Sequence, residues 1–446
     1  MFDKRIISRS LCSILLLIGL PLMAEDRYVL VTAPSKVQDV CGRHGLQQVA
    51  QLSSSSSAGV FLVAASTVDP AIATDADVQS FEPNREAGVP ELSGLTVSSL
   101  TQSMSPILTQ LPGRQLVSYF GASVANYYVS QSAVSITRLA DAQTATGMIG
   151  TGMTIAVIDT GVDPSHPALQ GVLVGGFDFV HNVSGASELV DLDPVTAANL
   201  TQSMSNILTG DNVVQLNAST AAILSETAED ALNAPPQAFG HGTMTAGLVH
   251  LTAPGAKIMP LKAFSADGSS DLFNILRAIY YAVDNGANVI SMSFEISQSS
   301  PALQNAIQYA LSKNVVLVAA SGNDAQQIMV YPAGYNTVVG VGSTSDADGK
   351  SDFTNFGTNA TFVAAPGEGV ITTYPGGNYA AGWGTSFSTP LVAGEAALIL
   401  QAKPTYHPGD VANAISRATQ VQQMGHGRID LCQALGSLGS PVPKCQ

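Results

Sequence analysis

From residue 150 onward the chain alternates nearly continuous apolar runs with stretches of helical periodicity, and this rhythm limits the possible folds more than any other feature. Residues 153–158 form one such run, and 257–262, 289–292, 315–319 and 337–341 repeat the signal. A strand buried on both faces reads this way, because neither of its sides meets water. Between the runs, 272–285 and 302–312 carry apolar residues at the spacing of a helix face. Strand, helix and strand in succession predict a parallel β-sheet sandwiched by helices, an α/β fold. In such sheets functional residues collect outside the carboxyl ends of the strands.

Composition agrees with a globular chain. Apolar residues make up 46% and charged residues 11%, the reverse of a disordered or coiled-coil balance. The 446 residues suffice for one large domain and a smaller one. A net charge of -15 argues against nucleic acid as a partner, which requires a basic face, and against a polybasic membrane-surface protein.

The first 24 residues have the layout of a secretory signal. Lys4, Arg5 and Arg9 precede an apolar run over 11–23, and Ala24 offers a small residue for cleavage. The run is short for a spanning helix. Cys12 lies at its start rather than after it, which argues against lipid anchoring. The expected localisation is secreted, extracellular or periplasmic, with no membrane association once the signal is removed. Its removal leaves Cys41, Cys432 and Cys445, an odd number. Cys432 and Cys445 are near in sequence; a disulfide between them and two unpaired thiols are equally compatible with that.

Residues 25–85 read as a small α+β domain, with strands at 28–31, 59–64 and 78–83 and a helix over 37–49. Residues 86–145, rich in Ser, Thr, Gln and Ala, read as a linker and entry to the large domain, which spans 146–436 and leaves a tail at 437–446. The segment 100–109 recurs at 200–209 with a single difference, Pro106 against Asn206. Its Leu, Met, Ile and Leu fall on one helix face, so two amphipathic surface helices are expected, without a site.

Four polar residues stand where chemistry would need them. Asp159 ends the run 153–158 and precedes Thr160 and Gly161. His241 lies between Gly240 and Gly242, where neighbouring groups can approach the ring closely. Ser386 follows Gly384 and Thr385 and precedes the apolar run 391–400. With Pro390 taken as part of a first helical turn, Ser386 stands at a buried helix N-terminus, where unpaired N–H groups and the helix dipole favour negative charge. Asn323 follows another buried strand and can donate from its amide. Asp, His and Ser in that chain order, each at a strand–helix junction, match one of the known orders of a serine-nucleophile triad.

At these residues the sequence resembles the subtilisin-like serine proteases, the subtilase family. The resemblance rests on 155–163, on Gly240 to Thr243, on Gly384 to Ser386 with Pro390, and on 319–323, 331–333, 339–342 and 363–367. It implies a serine-type endopeptidase in which Ser386 attacks, His241 transfers the proton, Asp159 orients His241, and Asn323 with the Ser386 N–H holds the oxyanion. Ser293, Phe294, Glu295 and Gly322 would bind a peptide or protein substrate. Residues 25–85 resemble the family's inhibitory propeptide, ending near 81–84, so the chain's own propeptide is an implied partner and the product a zymogen. No cofactor is implied for the chemistry, and structural calcium is possible, with Asp191 and Asp193 as oxygen donors but no residue assigned.

The sequence departs from the family pattern in places. The usual Ser-Leu-Gly-Gly is Ser293-Phe294-Glu295-Ile296, with side chains where close backbone approach is expected. Glu295 either favours a basic substrate residue or narrows the pocket, whose floor would be Val330. Residues 180–236 form an insertion between Asp159 and His241, expected at the surface near the site's rim. Met244 and Phe387 replace the usual His and Met. The alternatives are an inactive subtilase-fold peptide-binding protein and a dedicated processing protease of narrow specificity.

Overall fold

In the eight-stranded sheet at the centre of the molecule, Thr154–Asp159 lies between Lys257–Lys262 and Val289–Met292 and is parallel to both. The sheet continues in parallel through Val316–Ala320, Val339–Thr344 and Val363–Pro366. At the other edge Phe177–Asp178 joins in parallel and Val183–Ser184 closes the sheet as an antiparallel hairpin. The computed structural model describes residues 26–52, 59–89, 115–202, 212–215, 219–224, 236–357, 360–439 and 445. The expected signal segment, the repeat at 100–109 and positions 203–209 of its second copy lie outside the described residues. Among those described, no helix is long and apolar enough to cross a membrane.

The alternation of side chains along a strand explains the two cores. Ile155 and Val157 enter one apolar cluster, together with the helices His241–Thr252 and Thr385–Ala402. Ala156 and Ile158 enter the other, packed against Leu272–Asp284 and Pro301–Ser312. The sheet is therefore sandwiched, as the sequence rhythm predicts. The two helices of the first face are buried along nearly their whole length, which places His241 and Ser386 in the interior.

Residues 26–83 contain a four-stranded antiparallel sheet in the order Gln47–Gln51, Gly59–Ala65, Asp26–Thr32 and Val78–Pro83. One face covers the helix Val37–His44 through Leu30, Val40, Phe61 and Val63. Val29, Val31, Val60 and Leu62 on the other face join the second core of the large sheet. The helix expected over 37–49 is shorter. Gly45, at φ 64°, turns the chain left-handed after His44, and residues 47–51 leave as a strand.

Two further expectations are refined. Of the segment 86–145 expected as linker and entry to the large domain, residues 115–145 pack as part of that domain. Tyr127, Tyr128, Val134 and Leu139 are buried in the first core, and the Tyr128 hydroxyl donates to the Gly247 carbonyl at 2.5 Å. The insertion is not wholly superficial either. Its strands Asn212–Gln215 and Thr220–Leu224 extend the hairpin formed by Val370–Tyr374 and Asn378–Gly382, and Glu188 is fully buried. Near the C-terminus Cys432 and Cys445 form a disulfide with Cα atoms 5.5 Å apart, and Cys41 is a buried thiol.

Candidate active site

Parallel strands bring their carboxyl ends to one side of the sheet, and that topology assembles the site. Asp159 is the last residue of its strand, Ser293 directly follows Val289–Met292, and 321–323 directly follow Val316–Ala320. Asp159 is 2% exposed, yet both oxygens of its carboxylate are engaged. Oδ1 accepts from the Thr160 N–H at 2.7 Å and lies 2.7 Å from His241 Nδ1. Oδ2 accepts from the Thr245 hydroxyl at 3.1 Å. A carboxylate can only accept, so the facing Nδ1 carries the proton and Nε2 is left with a lone pair.

His241 opens its helix, and its flanking glycines answer to crowding. A Cβ on Gly242 would stand 1.9 Å from the Gly161 carbonyl oxygen, and one on Gly240 would stand 2.2 Å from the Tyr374 ring. Gly240 also has φ 89°, the left-handed region. The imidazole packs against the Phe387 ring at 5.4 Å between centroids, beside Ser386 in the chain.

Ser386 lies in the first turn of Thr385–Ala402 and is 1% exposed. Pro390 is not in that first turn, as the sequence reading had it, but inside the helix. A proline there offers no N–H to the carbonyl four residues earlier, which is that of Ser386. The Ser293 hydroxyl takes over and donates to this carbonyl at 2.9 Å. In return the Ser386 hydroxyl lies 3.4 Å from the Ser293 carbonyl oxygen. The nucleophile candidate and the substrate-strand candidate are thereby fastened together.

Asn323 is oriented by Thr385. The Thr385 N–H at 2.9 Å and its hydroxyl at 3.0 Å meet Oδ1. A backbone N–H can only donate, so the amide oxygen must face it and the NH₂ end turns the other way, toward Gly384. Pointing an amide donor and a helix N-terminus at one place prepares it for an anion.

Glu295 pairs with Gly88 through both backbone bonds, its N–H to the Gly88 carbonyl at 3.0 Å and its carbonyl to the Gly88 N–H at 3.3 Å. Close backbone approach is thus kept at Glu295 despite its side chain. Ile296 instead pairs with Tyr331. Phe294 is fully buried, and Val330 is 4% exposed. The Glu295 Oε2 is buried, has no hydrogen-bond partner among the described residues, and sits over Gly322, where a Cβ would be 2.6 Å away. Burial, reinforced by Asp324, pushes this carboxyl up to about 7.

The chain just before residue 90 runs through the site. Glu86–Gly88 pairs antiparallel with Ser269–Asp271, and the Val89 N–H donates to the Gly268 carbonyl at 3.0 Å. Upstream, a Glu82 oxygen accepts from the Ala302 N–H and the Asn84 oxygen from the Phe273 N–H, both at 2.9 Å. These N–H groups belong to first turns of Pro301–Ser312 and Leu272–Asp284, which have no partners inside their helices.

Sequence reasoning did not find the buried groups around the site. Lys262, with no exposure, donates to the Thr160 and Phe264 carbonyls at 2.8 Å and to Asp191 at 2.6 Å. The Glu188 carboxyl accepts from the Gly240 N–H at 2.9 Å and from the Thr160 hydroxyl at 3.3 Å, and also meets the Thr243 hydroxyl. Thr243 and Thr160 were inside legible motifs, whereas Glu188 carried no signal in an insertion of unremarkable composition. Asp191 is thus taken by Lys262, and Asp193 caps its own turn through Thr196. Among the described residues, no three His, Cys, Asp or Glu side chains cluster as metal ligands.

A sequence profile described as the Subtilase family matches residues 150–433. Thermitase of Thermoactinomyces vulgaris is 34% identical over 260 residues, covering 56% of this chain and 75% of that protein. The thermophilic serine proteinase of Bacillus sp. (strain AK1) is 36% identical over 248 residues, covering 56% of this chain but only 52% of its own length. Among solved structures, a protease from Pseudoalteromonas arctica superposes with a TM-score of 0.52 at 27% identity, over 68% of this chain and 94% of that one.

Proposed function

The chain belongs to the subtilase family of serine peptidases, and on that premise we propose that it is a secreted endopeptidase that cuts peptide bonds with Asp159, His241 and Ser386. The observation that carries this reading is the 2.7 Å contact of His241 Nδ1 with Asp159, which leaves Nε2 as the ring's base. In the proposed reaction the Ser386 oxygen attacks the peptide carbonyl as His241 Nε2 takes its proton. Asp159 holds the ring and stabilises the imidazolium. The tetrahedral oxyanion is held by the Asn323 NH₂ and the Ser386 N–H. His241 then returns the proton to the leaving amine. Water repeats the sequence on the acyl-enzyme and frees Ser386.

Residues 25–85 act in this reading as an inhibitory propeptide ahead of the catalytic unit at 146–436. Supporting it, Glu82 and Asn84 cap two helices of the large sheet's second face, and 86–89 run between Gly268–Asp271 and Glu295 as an extended substrate would. Secretion rests on the first 24 residues. A narrow processing role is favoured by one observation: a Glu295 carboxyl oxygen beside Gly322 that has no hydrogen-bond partner among the described residues and could receive a polar or basic substrate side chain.

The test is turnover of a peptide panel by the wild-type chain after maturation, with Ser386→Ala as the blank. Wild-type cleavage that disappears in Ser386→Ala is expected. A wild type that cuts no better than the blank after removal of 26–89 would leave only the peptide-binding alternative.

A further inference from the structure

We propose that Glu188 is a positioning residue of this site, its carboxyl tying the turn after Asp159 to the turn around His241 and adding charge that favours the His241 imidazolium. The inference rests on the peptidase reading above for its kinetic consequences, but not for its geometry.

Glu188 comes from the insertion, yet it has no exposure. Its backbone is fixed first. The Val162 N–H donates to Ala186 at 2.8 Å and the Glu188 N–H to Val162 at 3.2 Å, so 186–188 pair in register with the turn after Asp159. The side chain then reaches between the two catalytic turns. Thr160 directly follows Asp159, and Gly240 and Thr243 bracket His241; donors from all three converge on the one carboxyl. The link is doubled, since the Thr160 hydroxyl also accepts from the Gly242 N–H at 2.9 Å. Thr243 is spent in the same way, accepting from the Asp163 N–H at 2.7 Å.

When ionised the carboxyl only accepts, and its two oxygens suit three donors in a closed site. Alanine would leave a buried N–H and two hydroxyls short of an acceptor and let the turns drift apart. Glutamine keeps the tie: its oxygen can take Gly240 and Thr160, and its NH₂ can give to Thr243. It removes only the charge. The charged or titratable groups acting on Glu188 are Asp159 at the strand end, Lys262 from the neighbouring strand and Tyr374 from the hairpin; Lys262 also holds Asp191, and His241 lies between Gly240 and Gly242, whose N–H groups bond Glu188 and Thr160. Burial pushes Glu188 up to about 7, against the pull of Thr243, Lys262 and Gly240. Above that pH its negative charge joins that of Asp159 beside the imidazole. Where the ring titrates at or above that pH, losing the charge lowers its proton affinity, so the acid limb of kcat/KM moves to lower pH.

The experiment compares the mature wild type, Glu188→Gln and Glu188→Ala by kcat, KM and pH profile. In parallel, the His241 ring is titrated by NMR in Ser386→Ala and in the Ser386→Ala, Glu188→Gln double variant. Expected are a kcat loss of roughly 10- to 100-fold in Glu188→Ala at little-changed KM, as for a misplaced catalytic group, most of it recovered in Glu188→Gln, and an acid limb and ring titration displaced to lower pH by glutamine. An unmoved His241 titration in the double variant overturns the proposal, even if Glu188→Ala fails to fold. So does wild-type kcat in Glu188→Ala. A wild type without turnover sinks the peptidase reading alone, since the ring titration still decides the role of Glu188.

Discussion

Nδ1 of His241 stands 2.7 Å from Oδ1 of Asp159 across 82 positions of sequence, and the same oxygen takes the Thr160 N–H. The imidazole is thus held by a group that is itself held. Asp159→Asn removes the charge that stabilises an imidazolium in this place. Its kcat is expected to fall by about 10⁴-fold, the order known for the Asp-to-Asn change in another serine-peptidase triad. Steady-state kinetics on a peptide amide checks it, and a loss below tenfold would count against the orienting role.

Asn323→Ala removes the amide donor that Thr385 orients. A fall in kcat of about 100- to 1,000-fold with KM little changed is expected, a range taken over from subtilisin itself. Thr385→Val takes away one of the two donors that aim the amide, and with a hydrogen bond worth about 1 kcal/mol it costs less than about tenfold. An equal loss in both variants would mean that the aim matters as much as the donor.

Glu295, pushed up to about 7 by burial and Asp324, is neutral below that pH and charged above it. Preference for Arg or Lys over Leu before the scissile bond is therefore expected to rise between pH 6 and pH 8 in the wild type and to stay flat in Glu295→Gln. Ratios of kcat/KM for matched substrates measure this. A flat wild-type ratio assigns Glu295 to narrowing the pocket instead.

Glu82 and Asn84 each accept one first-turn N–H of a helix whose N-cap, Ser300 or Asp271, already meets another. Each cap is worth about 0.5–2 kcal/mol. Glu82→Ala and Asn84→Ala are expected to loosen residues 26–89 from the large sheet, read as faster onset of activity in freshly expressed protein. The double variant should exceed either single one, and unchanged onset in it would deny the caps a part in latency.

His44 joins Asp69 and Asp75 at 2.7 and 2.8 Å, and these partners raise its pKa, Asp75 first. A raised value in the fold contributes stability that is complete below the unfolded value of about 6.5 and is lost as pH rises through the folded one. Asp69 and Asp75 are lowered, so their contribution is present above their ordinary values and lost in acid. Residues 26–83 should therefore exchange amide hydrogen more readily at pH 9 than at pH 6, after correction for intrinsic rates. In His44→Asn, measured in the Ser386→Ala background, that difference should vanish.

The local signals were strong wherever one residue's surroundings were decided by its own segment. The parallel strands were legible from runs such as 153–158 because burial on both faces leaves no place for polar residues. Asp159, His241 and Ser386 stood out as candidates because glycines and strand ends mark them. The helix expected over 37–49 failed at Gly45, where one left-handed residue outweighed the periodicity around it. Pro390 sits deeper in its helix than expected because its missing hydrogen bond is replaced by the Ser293 hydroxyl, just past the strand Val289–Met292.

By itself the sequence determined the alternating order of strands and helices, and with it the side of the sheet on which the polar residues emerge. Only the tertiary structure decided that Glu188 joins the turn after Asp159 to the turn around His241, that Lys262 occupies Asp191, and that Gly88 lies against Glu295. The physical reason is that periodicity reports how a residue meets its own strand or helix. A buried hydrogen bond is fixed by donors and acceptors that distant segments bring, and no single segment records them.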